Sequence, residues 1–357
     1  MSTVGILRPG PALAATRTMS PPPPTMPQNA LDLAAAFILD QLDLQRTASN
    51  ANHGGSQSAD SGRASPPLFV GLQGPQGSGK SYLSSKLPAR LAELAEARSS
   101  RSPLRTVSVS LDDLYLPWSE LKRVAAEHPG NKLLSGRGQA GTHDLQLAKT
   151  VLGQFKTAYR NPNAEAVIPV FEKSLHGGEG DRLDRSEWIR VDKAGDVDIV
   201  LFEGWMNGFQ PCRKSGGDDL EQQYQLAAER PEEAKRAFGI DYDRPFFLEH
   251  SLQDLRTIER NLREYAELWS YIDAFVQLKP ERLGYVWEWR LEQEHNMKAK
   301  NGGVGMTDEQ VKDFIARYMP GYELWLPNVT EGDNPWRGRV LQIQLNKARE
   351  AVAVENF

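Results

Sequence analysis

The chain has 357 residues, a hydrophobic content of 39% and a formal net charge of -5 at neutral pH. The length and the apolar content are sufficient for one large globular domain or two smaller ones. An acidic balance disfavours a nucleic-acid partner, which attracts basic surfaces, but it permits a local basic pocket for a small anion. With one cysteine, Cys212, the chain cannot form an intrachain disulfide, so a reducing compartment fits best.

The sequence indicates neither a zinc site nor a membrane span. The six histidines do not occur at HxH or HxxxH spacing, and no apolar run approaches the roughly 20 residues that a bilayer requires. We therefore expect a soluble, cytoplasmic protein. We expect no nucleic-acid partner, no membrane contact and no obligate protein partner.

Residues 1–28 form a Pro-rich N-terminal segment. Such a segment buries too little apolar surface to offset the entropy of the chain, so we expect a disordered tail. The segment lacks acidic residues and carries Arg8 and Arg17, which leaves an organellar transit segment as the alternative. The run PPPP at 21–24 would interrupt the long amphipathic helix of such a segment.

The next two segments are a predicted helix and a predicted linker. ALDLAAAFILDQL has apolar residues at helical spacing, so residues 29–48 are predicted to form an amphipathic helix that packs on the main domain. Residues 49–66 are rich in Ser, Gly and Asn and are predicted to be a flexible linker. The main domain is predicted to cover residues 67–357.

Short apolar stretches and helix-forming stretches alternate through the main domain. The predicted strands are LFVGLQG, TVSVSL, DIVLFEG, IDAFVQL and VLQIQL, and helical stretches such as SYLSSKLPARLAELAEAR and THDLQLAKTVLGQFKTAY separate them. Continuous apolar strands separated by helices are typical of a parallel sheet that is covered on both faces. The sequence therefore predicts an α/β fold with a doubly wound parallel sheet, and right-handed crossovers bring the loops that follow the strands to one edge.

The stretch GPQGSGKS after the first predicted strand has the GxxxxGKS spacing of a phosphate-binding loop. Its glycines let the backbone turn N–H groups toward phosphate oxygens, and the helix that follows offers its positive N-terminus. Lys80 would reach the β- and γ-phosphates of a nucleotide, and Ser81 would ligate magnesium. The predicted cofactor-binding residues are Gly74, Gln76, Gly77, Ser78, Gly79, Lys80, Ser81 and Tyr82.

Two carboxylates follow the second predicted strand, in SLDDLYLP. One of them could orient or deprotonate an attacking hydroxyl, and the other could hold a magnesium-bound water. Because neighbouring residues of an extended chain point in opposite directions, we expect one to face the γ-phosphate and favour Asp112. Asp113 is then a candidate metal residue. The alternative for one member of the pair is a cap of the next helix.

The third predicted strand, in DIVLFEGWMNGF, delivers Glu203 to the same edge of the sheet. Phosphate-loop proteins place an acid near magnesium at this position, so Glu203 joins Ser81 and Asp113 as a candidate metal residue. The alternative is a Glu that is merely solvated at the end of its strand.

Together these motifs resemble the D-glycerate 3-kinase family of plants and fungi, with its fungal ATP-dependent kinase relatives. The resemblance rests on GxxxxGKS, SLDDLYLP, HPGNKLLSGRGQAGTHDL, IPVFEKSLHGGEGDR and LFEGWMNGF, and it continues through YVWEWRLEQE and GMTDEQVKDFIARYMPGYE. It covers the chain from about Pro67 to the C-terminus. It implies a P-loop NTPase-type sheet with a helical lid, ATP and Mg²⁺ as cosubstrates, and phosphoryl transfer to a small-molecule hydroxyl. It also implies that Asp112 acts as the base toward the acceptor.

The matched blocks further imply an acceptor pocket. Arg137 stands among glycines, where its planar guanidinium could bind a carboxylate; the alternative is that it ties down a loop through a neighbouring acid. Lys173 and Arg182 flank a glycine-containing loop and could neutralise the substrate acid or the phosphates. His143 is balanced between ligand contact and loop packing, and Asp144 is expected to cap the next helix. The predicted substrate-binding residues are Asp112, Tyr115, Arg137, His143, Lys173 and Arg182.

The C-terminal part of the domain supplies the predicted lid. Arg290, on a helix after the fourth predicted strand, joins Lys80 and Asp112 as a predicted catalytic residue, because a lid arginine would stabilise charge on the transferring group and exclude water. The alternative is a surface arginine bound to a neighbouring acid. The acidic, Gln-rich insertion near 210–250 is expected to be a surface elaboration.

The main functional hypothesis is an ATP-dependent kinase that converts D-glycerate to 3-phosphoglycerate, and the identity of the acceptor rests on the resemblance alone. A kinase for another small hydroxylated metabolite is the near alternative. A regulatory nucleotide-binding ATPase is the alternative from another class, but it would not need Asp112 together with the glycine-lined pocket around Arg137 and His143. A nucleic-acid kinase is disfavoured by the acidic balance and by the lack of a basic stripe.

Overall fold

The computed structural model describes residues 29–52, 65–98, 104–161, 163–212, 219–300, 302–330 and 334–357. The predicted tail, 1–28, lies outside the described residues, and so does most of the predicted linker. The described ranges contain the alternation of strands and helices that the sequence predicts.

Twelve α-helices and ten β-strands form the regular structure of the described ranges. The α-helices are α1 Ala30–Asn52, α2 Lys80–Arg98, α3 Trp118–Glu127, α4 Leu145–Ala158, α5 Leu175–Gly178, α6 Asp219–Glu229, α7 Pro231–Phe238, α8 Leu252–Glu264, α9 Ala266–Trp269, α10 Gly284–Lys300, α11 Asp308–Ala316 and α12 Met319–Leu324. The β-strands are β1 Leu68–Gln73, β2 Thr106–Ser110, β3 Ala166–Ile168, β4 Phe171–Glu172, β5 Asp181–Arg182, β6 Ile189–Val191, β7 Ile199–Gly204, β8 Ala274–Pro280, β9 Val340–Leu345 and β10 Ala351–Asn356.

The central sheet of the described residues has the strand order β10–β9–β8–β1–β7–β2. Strands β9, β8, β1, β7 and β2 run parallel, and β10 pairs antiparallel with β9 at one edge. The predicted strands are confirmed as β1, β2, β7, β8 and β9, and the α/β class is confirmed with them. The sequence analysis did not predict β10, an edge strand that begins with the apolar run AVAV but whose side chains are largely exposed.

The register of the strands places the chemical groups of the site at one edge of the sheet. Leu72 and Gln73 of β1 pair with Glu203 and Gly204 of β7, and Ser110 of β2 also pairs with Glu203. The loop after β1, the turn after β2 and the end of β7 therefore lie side by side. Ligands of doubly wound sheets bind at this carboxyl edge.

Apolar side chains cover both faces of the sheet. On one face, Leu68, Val70 and Leu72 of β1 are buried against α1 and α2. The buried residues of α1 follow helical spacing and are Ala34, Ala35, Ile38, Leu39 and Leu42. Burial of one leucine or isoleucine side chain contributes about 1.5–3 kcal/mol, so α1 is an integral part of the domain. The helix predicted for 29–48 is present, and it continues to Asn52, within the predicted linker.

The expectation that the insertion near 210–250 is a surface elaboration is wrong. Its helices α6 and α7 and the 3-10 turn after them bury Leu220 and Phe247 completely in the main core. The buried carboxylate of Glu323 on α12 accepts hydrogen bonds from the backbone N–H groups of Phe246 and Phe247, each at 2.9 Å. Most Glu and Gln residues of the insertion lie on the outer side of these helices, which explains why its composition suggested a surface segment.

Two short antiparallel pairs lie outside the central sheet of the described residues. β3 pairs with β6, and β4 pairs with β5 beside the turn that follows β2. Helices α10 and α11 pack on each other at the place of the predicted lid, whose motion stays a prediction. None of the helices in the described ranges is both long and apolar enough to cross a bilayer.

Candidate active site

The loop between β1 and α2 has the backbone of a phosphate-binding loop. Gly77 and Gly79 have φ angles of 78° and 89°, a region that residues with side chains rarely adopt. A Cβ atom on Gly77 would also lie 2.5 Å from the Cβ atom of Trp289 on α10, so backbone conformation and space both require glycine there. Helix α2 begins at Lys80, and its first N–H groups and its dipole favour an anion at the loop.

Two side chains from distant parts of the chain hold this loop. The hydroxyl of Tyr322 on α12 accepts a hydrogen bond from the N–H of Gln76 at 3.1 Å. Nε of Arg349, in the turn between β9 and β10, donates to the carbonyl oxygen of Gly77 at 2.6 Å, and its Nη2 donates to Glu292 of α10 at 2.8 Å. The sequence patterns predicted neither Tyr322 nor Arg349, because only the folded chain brings them to the loop.

The predicted catalytic lysine of the loop, Lys80, forms an ion pair with Glu203 at the end of β7. Both side chains are largely buried, with exposed fractions of 14% and 13%. Lys80 lines a large cleft at the carboxyl edge of the sheet, whereas Glu203 lies behind it. The pair holds the ammonium group beside the loop, where nucleotide phosphates would compete with the carboxylate for it.

The side chains at this edge suit magnesium, which prefers oxygen ligands and keeps several waters and phosphate oxygens. Ser81 is exposed at the start of α2 and lines the cleft. Oδ1 of Asp112 is buried and has no hydrogen-bond partner among the described residues. No group of three or more His, Cys, Asp or Glu residues that could hold a metal is found in the described ranges.

Asp112 lies in the cleft, in the 3-10 turn Leu111–Leu114 that follows β2. Ser110 caps this turn by accepting a hydrogen bond from the N–H of Asp112 at 3.3 Å. Nζ of Lys173 donates to Oδ2 of Asp112 at 2.6 Å. Burial alone would raise the pKa of Asp112, but the positive charges of Lys173 and Lys80 outweigh it and lower the pKa below its usual value. Asp112 is therefore an ionised carboxylate that stands in the same cleft as the phosphate loop.

Asp113, unlike the candidate metal residue Ser81, does not line the cleft. Its Oδ1 accepts a hydrogen bond from the N–H of Phe171 on β4 at 3.1 Å. Burial, reinforced by the charge of Asp112, raises the pKa of Asp113 to about 6, although the bond from Phe171 opposes the shift. The metal role predicted for Asp113 is therefore corrected to a contact between the 3-10 turn and β4, because the turn points the two neighbouring carboxylates apart.

Arg137 and Lys173 line the acceptor side of the cleft. Nη1 of Arg137 donates to the carbonyl oxygens of Gly178, at 2.7 Å, and of Glu179. Its guanidinium also lies over the ring of Phe171, 5.7 Å from the centroid. Arg137 has no carboxylate partner among the described residues, so no protein acid in these ranges neutralises its charge. Arg137 therefore holds its neighbouring loop through backbone carbonyls and not, as the alternative interpretation supposed, through an acidic side chain.

Two predicted substrate-binding residues, His143 and Tyr115, lie behind the wall of the cleft. They are 4% and 2% exposed, and their rings stack with centroids 4.3 Å apart. Nδ1 of His143 lies 2.7 Å from the hydroxyl of Tyr265, and burial lowers the pKa of the imidazole to about 3. His143 is therefore neutral at physiological pH. Neither residue lines the cleft, so their predicted substrate contacts are corrected to packing beneath the site.

Arg182, the third predicted substrate-binding residue outside the cleft, also has structural partners. Its Nη1 pairs with Asp144 at 3.1 Å, and its Nη2 donates to the carbonyl oxygen of Tyr115 at 2.6 Å. Through these bonds the guanidinium of Arg182 joins β5 to the start of α4. The predicted contact of Arg182 with the substrate is therefore corrected to a structural contact. Asp144 also caps α4 by accepting a backbone N–H at 2.9 Å, and this confirms the predicted cap.

Arg290 lines the cleft from α10, at the place predicted for a lid arginine. Its Nη2 pairs with the buried carboxylate of Glu294 at 2.7 Å, and its guanidinium lies 5.2 Å from the ring centroid of Phe314 on α11. These contacts match the alternative interpretation of Arg290, in which a neighbouring acid binds the arginine. The catalytic role of Arg290 stays a prediction.

The cleft has a volume of about 1550 Å³ and extends from the phosphate loop to the loops around Arg137 and Lys173. Sites for one small ligand occupy roughly 300–1,000 Å³, so this cleft has room for a nucleotide and a second substrate. The predicted residues that line it are Gln76, Gly77, Gly79, Lys80, Ser81, Tyr82, Asp112, Arg137, Lys173 and Arg290. Lining residues to which no sequence pattern assigned a role include Trp118, Lys122, Arg317, Tyr318 and Arg349. Of the remaining loop residues, Gly74 and Ser78 are buried beneath the cleft.

No family model matches the chain, but comparisons with known proteins find similar kinases. The chain is 35% identical over 260 residues to an uncharacterised kinase, mug58, of Schizosaccharomyces pombe, and the match covers 73% of this chain and 81% of that protein. It is 32% identical over 292 residues to the chloroplastic D-glycerate 3-kinase of Arabidopsis thaliana, a match that covers 80% of this chain but 54% of that protein. A solved D-glycerate 3-kinase from Cryptococcus neoformans var. grubii is 42% identical, with a TM-score of 0.78, and the match covers 92% of this chain and 100% of that one.

A phosphate loop at the carboxyl edge of a doubly wound sheet, beside an ionised carboxylate and a basic pocket, defines a P-loop kinase. The similarity to these proteins identifies the family of P-loop kinases to which the chain belongs. The chain belongs to the family of ATP-dependent kinases that contains the D-glycerate 3-kinases, and it is itself an ATP-dependent kinase.

Proposed function

We propose that this kinase transfers the γ-phosphoryl group of ATP, bound with Mg²⁺, to the 3-hydroxyl group of D-glycerate. The observation that carries the proposal is the placement of Asp112, an ionised carboxylate with a free oxygen, in one cleft with Lys80 and with the unneutralised Arg137. An acceptor that carries both a hydroxyl and a carboxylate suits these groups. The similarity to the plant and Cryptococcus proteins, both named D-glycerate 3-kinases, supports this choice of acceptor.

The nucleotide end of the cleft binds the phosphates through the backbone of the loop. The N–H groups around Gly77 and Gly79 and the start of α2 surround the β- and γ-phosphates, and Lys80 leaves Glu203 to contact them. Ser81 would hold the magnesium ion, together with Glu203 at the sheet edge once Lys80 has left it. Magnesium, when bound, offsets negative charge on the transferring group.

The acceptor hydroxyl binds to the carboxylate of Asp112, which lines the cleft. The lowered pKa of Asp112 makes it a weak base, so its main contribution is to orient the hydroxyl in line with the γ-phosphorus atom and to accept the proton late in the transfer. Lys173 keeps the carboxylate ionised and fixes its second oxygen. Phosphoryl transfer has a loose transition state that demands positioning more than strong proton abstraction, which this arrangement supplies.

Arg290 serves as the cation of the lid. Its pairing with Glu294 on the same helix holds the guanidinium toward the cleft, where closure of α10 and α11 would bring it to the transferring group and exclude water. For the cellular compartment we retain the cytoplasm, with an organelle as the alternative. A fluorescent reporter fused to residues 1–28 decides between the two, because a transit segment would carry it into an organelle.

The proposal is tested by ADP release from purified protein with ATP and magnesium. The acceptors are D-glycerate, L-glycerate, pantothenate, uridine and ribulose 5-phosphate, with a control that lacks an acceptor and a Lys80→Ala variant that exposes contaminating kinases. We expect strong stimulation by D-glycerate alone, a product identified as 3-phosphoglycerate by NMR, and no activity when magnesium is chelated. Stronger stimulation by another acceptor would assign a different metabolite. ADP release that no acceptor changes would favour a regulatory ATPase.

A further inference from the structure

Two arginines in contact with the ring of Phe314 differ in how their charge is neutralised. The guanidinium of Arg290 lies 5.2 Å from the ring centroid, and that of Arg317 lies 5.7 Å from it. Arg290 is paired with the buried carboxylate of Glu294. Arg317 has no carboxylate partner among the described residues, although it lines the same cleft. A cation without an acidic partner at the wall of a substrate cleft is available to a substrate anion.

Arg317 is built into the acceptor side of the cleft. Its Nη1 donates to the hydroxyl of Ser135 at 3.2 Å, and its backbone carbonyl accepts from Nε2 of Gln139 at 2.6 Å. A Cβ atom on Gly136 would lie 3.7 Å from Nη1 of Arg317. The side chain and the backbone of Arg317 are therefore both tied to the loop 135–139, which also carries Arg137. Two arginines without an acidic partner in the described ranges, Arg137 and Arg317, are thus associated with this loop at the wall of the cleft.

The next residue, Tyr318, offers a hydroxyl at the same wall. The residue is 5% exposed, its ring packs edge-on against Trp205 with centroids 4.9 Å apart, and it lines the cleft. Its hydroxyl has no hydrogen-bond partner among the described residues. Burial raises the pKa of Tyr318, and the nearby charge of Asp112 adds to that rise, so the phenol is a protonated donor at neutral pH. A donor at the wall of a cleft that has no partner in the described ranges is available to a ligand.

We propose that Arg317 binds the carboxylate of the acceptor together with Arg137, and that the Tyr318 hydroxyl donates to the same acceptor. Arg317 is then the residue that selects hydroxy acids over neutral alcohols. This inference rests on the proposed function, since it assigns the binding of the carboxylate in the proposed acceptor. The bound carboxylate would direct the far hydroxyl of a three-carbon acid toward Asp112 and the phosphate loop.

The test compares D-glycerate with glycerol, which keeps two hydroxyls but lacks the carboxylate. In Arg317→Gln we expect kcat/KM for D-glycerate to fall roughly 10- to 100-fold, the range for a lost hydrogen bond to a charged group, while kcat/KM for glycerol and KM for ATP change less than about twofold. Arg317→Lys keeps a charge without the planar fork and should recover part of the loss. Tyr318→Phe should raise KM for D-glycerate by about fivefold.

A matched control is Arg123→Gln, because Arg123 is an exposed arginine of α3 that pairs with Glu120 outside the cleft. Thermal unfolding with and without ATP reports whether each variant keeps its fold and its nucleotide site. The shift that D-glycerate adds to the melting temperature measures acceptor binding even if glycerol turnover is too slow to follow. We expect this added shift to disappear in Arg317→Gln while the shift caused by ATP remains.

Equal losses for D-glycerate and glycerol would overturn the inference, because Arg317 would then act on the phosphoryl group or on the fold. An unchanged preference for D-glycerate would overturn it as well. Both outcomes require that the unchanged protein phosphorylates D-glycerate. If the unchanged protein does not use D-glycerate, it is the proposed function that fails, and the two failures are thereby distinguished.

Discussion

The two ends of the cleft are constructed differently. At the nucleotide end, the loop that follows β1 is held by the side chains of Tyr322 and Arg349, and Gly77 packs closely against Trp289 of α10. At the acceptor end, Arg137 holds backbone carbonyls of a loop in which His176, Gly177 and neighbouring glycines have positive φ angles, and its charge has no acidic partner in the described ranges. The nucleotide end is therefore organised before any ligand binds, whereas the acceptor end keeps free charge for its ligand.

The strongest effect is expected at Asp112, where the two ends meet. Asp112→Asn keeps the shape of the side chain but removes the charge that orients and receives the proton of the acceptor hydroxyl. We expect kcat to fall roughly 100- to 10,000-fold, with ATP binding measured by calorimetry within about threefold of the original. The neighbouring Asp113→Asn is the matched control and should lower kcat less than about threefold. Equal losses in both variants would contradict the division of roles between the two carboxylates.

A smaller effect is expected at the nucleotide end from Gly77→Ala. The φ angle of 78° strains any side chain, and the new Cβ atom would lie 2.5 Å from the Cβ atom of Trp289, so loop and α10 must separate. We expect KM for ATP to rise at least roughly 10-fold, with KM for D-glycerate little changed. Gly79→Ala is the comparison, because its φ angle is 89° but no atom lies within 4 Å of the added Cβ. A loss in Gly79→Ala as large as in Gly77→Ala would show that backbone strain alone, and not the contact with α10, accounts for the effect.

The smallest expected effect is that of Asp113→Asn on the free energy of unfolding. It tests whether Asp113 has a structural role and no role in phosphoryl transfer. Because the folded-state pKa of about 6 exceeds the ordinary 3.8, ionising Asp113 costs the folded protein free energy above about pH 6. Asp113→Asn keeps an acceptor for Phe171 and removes that cost. We expect the free energy of unfolding at pH 8 to rise by about 1–3 kcal/mol, and the gain to fade between about pH 6 and pH 4.

Urea unfolding at several pH values measures this dependence. Asp184→Asn, at an exposed position, serves as the control and should change the free energy of unfolding by less than about 0.5 kcal/mol. If Asp113→Asn were less stable than the original protein at pH 8, or if its gain in stability did not depend on pH, the prediction would be contradicted. Ionisation of Asp113 would then not destabilise the folded protein.

The parallel strands, the phosphate loop and the carboxylate that faces it could all be predicted from the amino-acid sequence. These features are local, because a loop conformation that needs Gly77 and Gly79, a helix that begins at Lys80 and an acid at the end of β2 depend on residues close together in the chain. The order of strands and helices then fixes the edge at which they meet. For that reason spacing was sufficient to place Lys80 and Asp112 in one cleft.

The acceptor end, in contrast, depends on tertiary packing. Sequence patterns assigned His143 and Arg182 to the substrate, but stacking on Tyr115 and pairing with Asp144 place both behind the cleft wall. Arg317 stood in a recognised block without a role, because nothing local distinguishes an arginine that is neutralised by an acid from one that is not. The packing of distant elements decides which carboxylates lie close to each arginine. A pattern of residues along the chain does not show this.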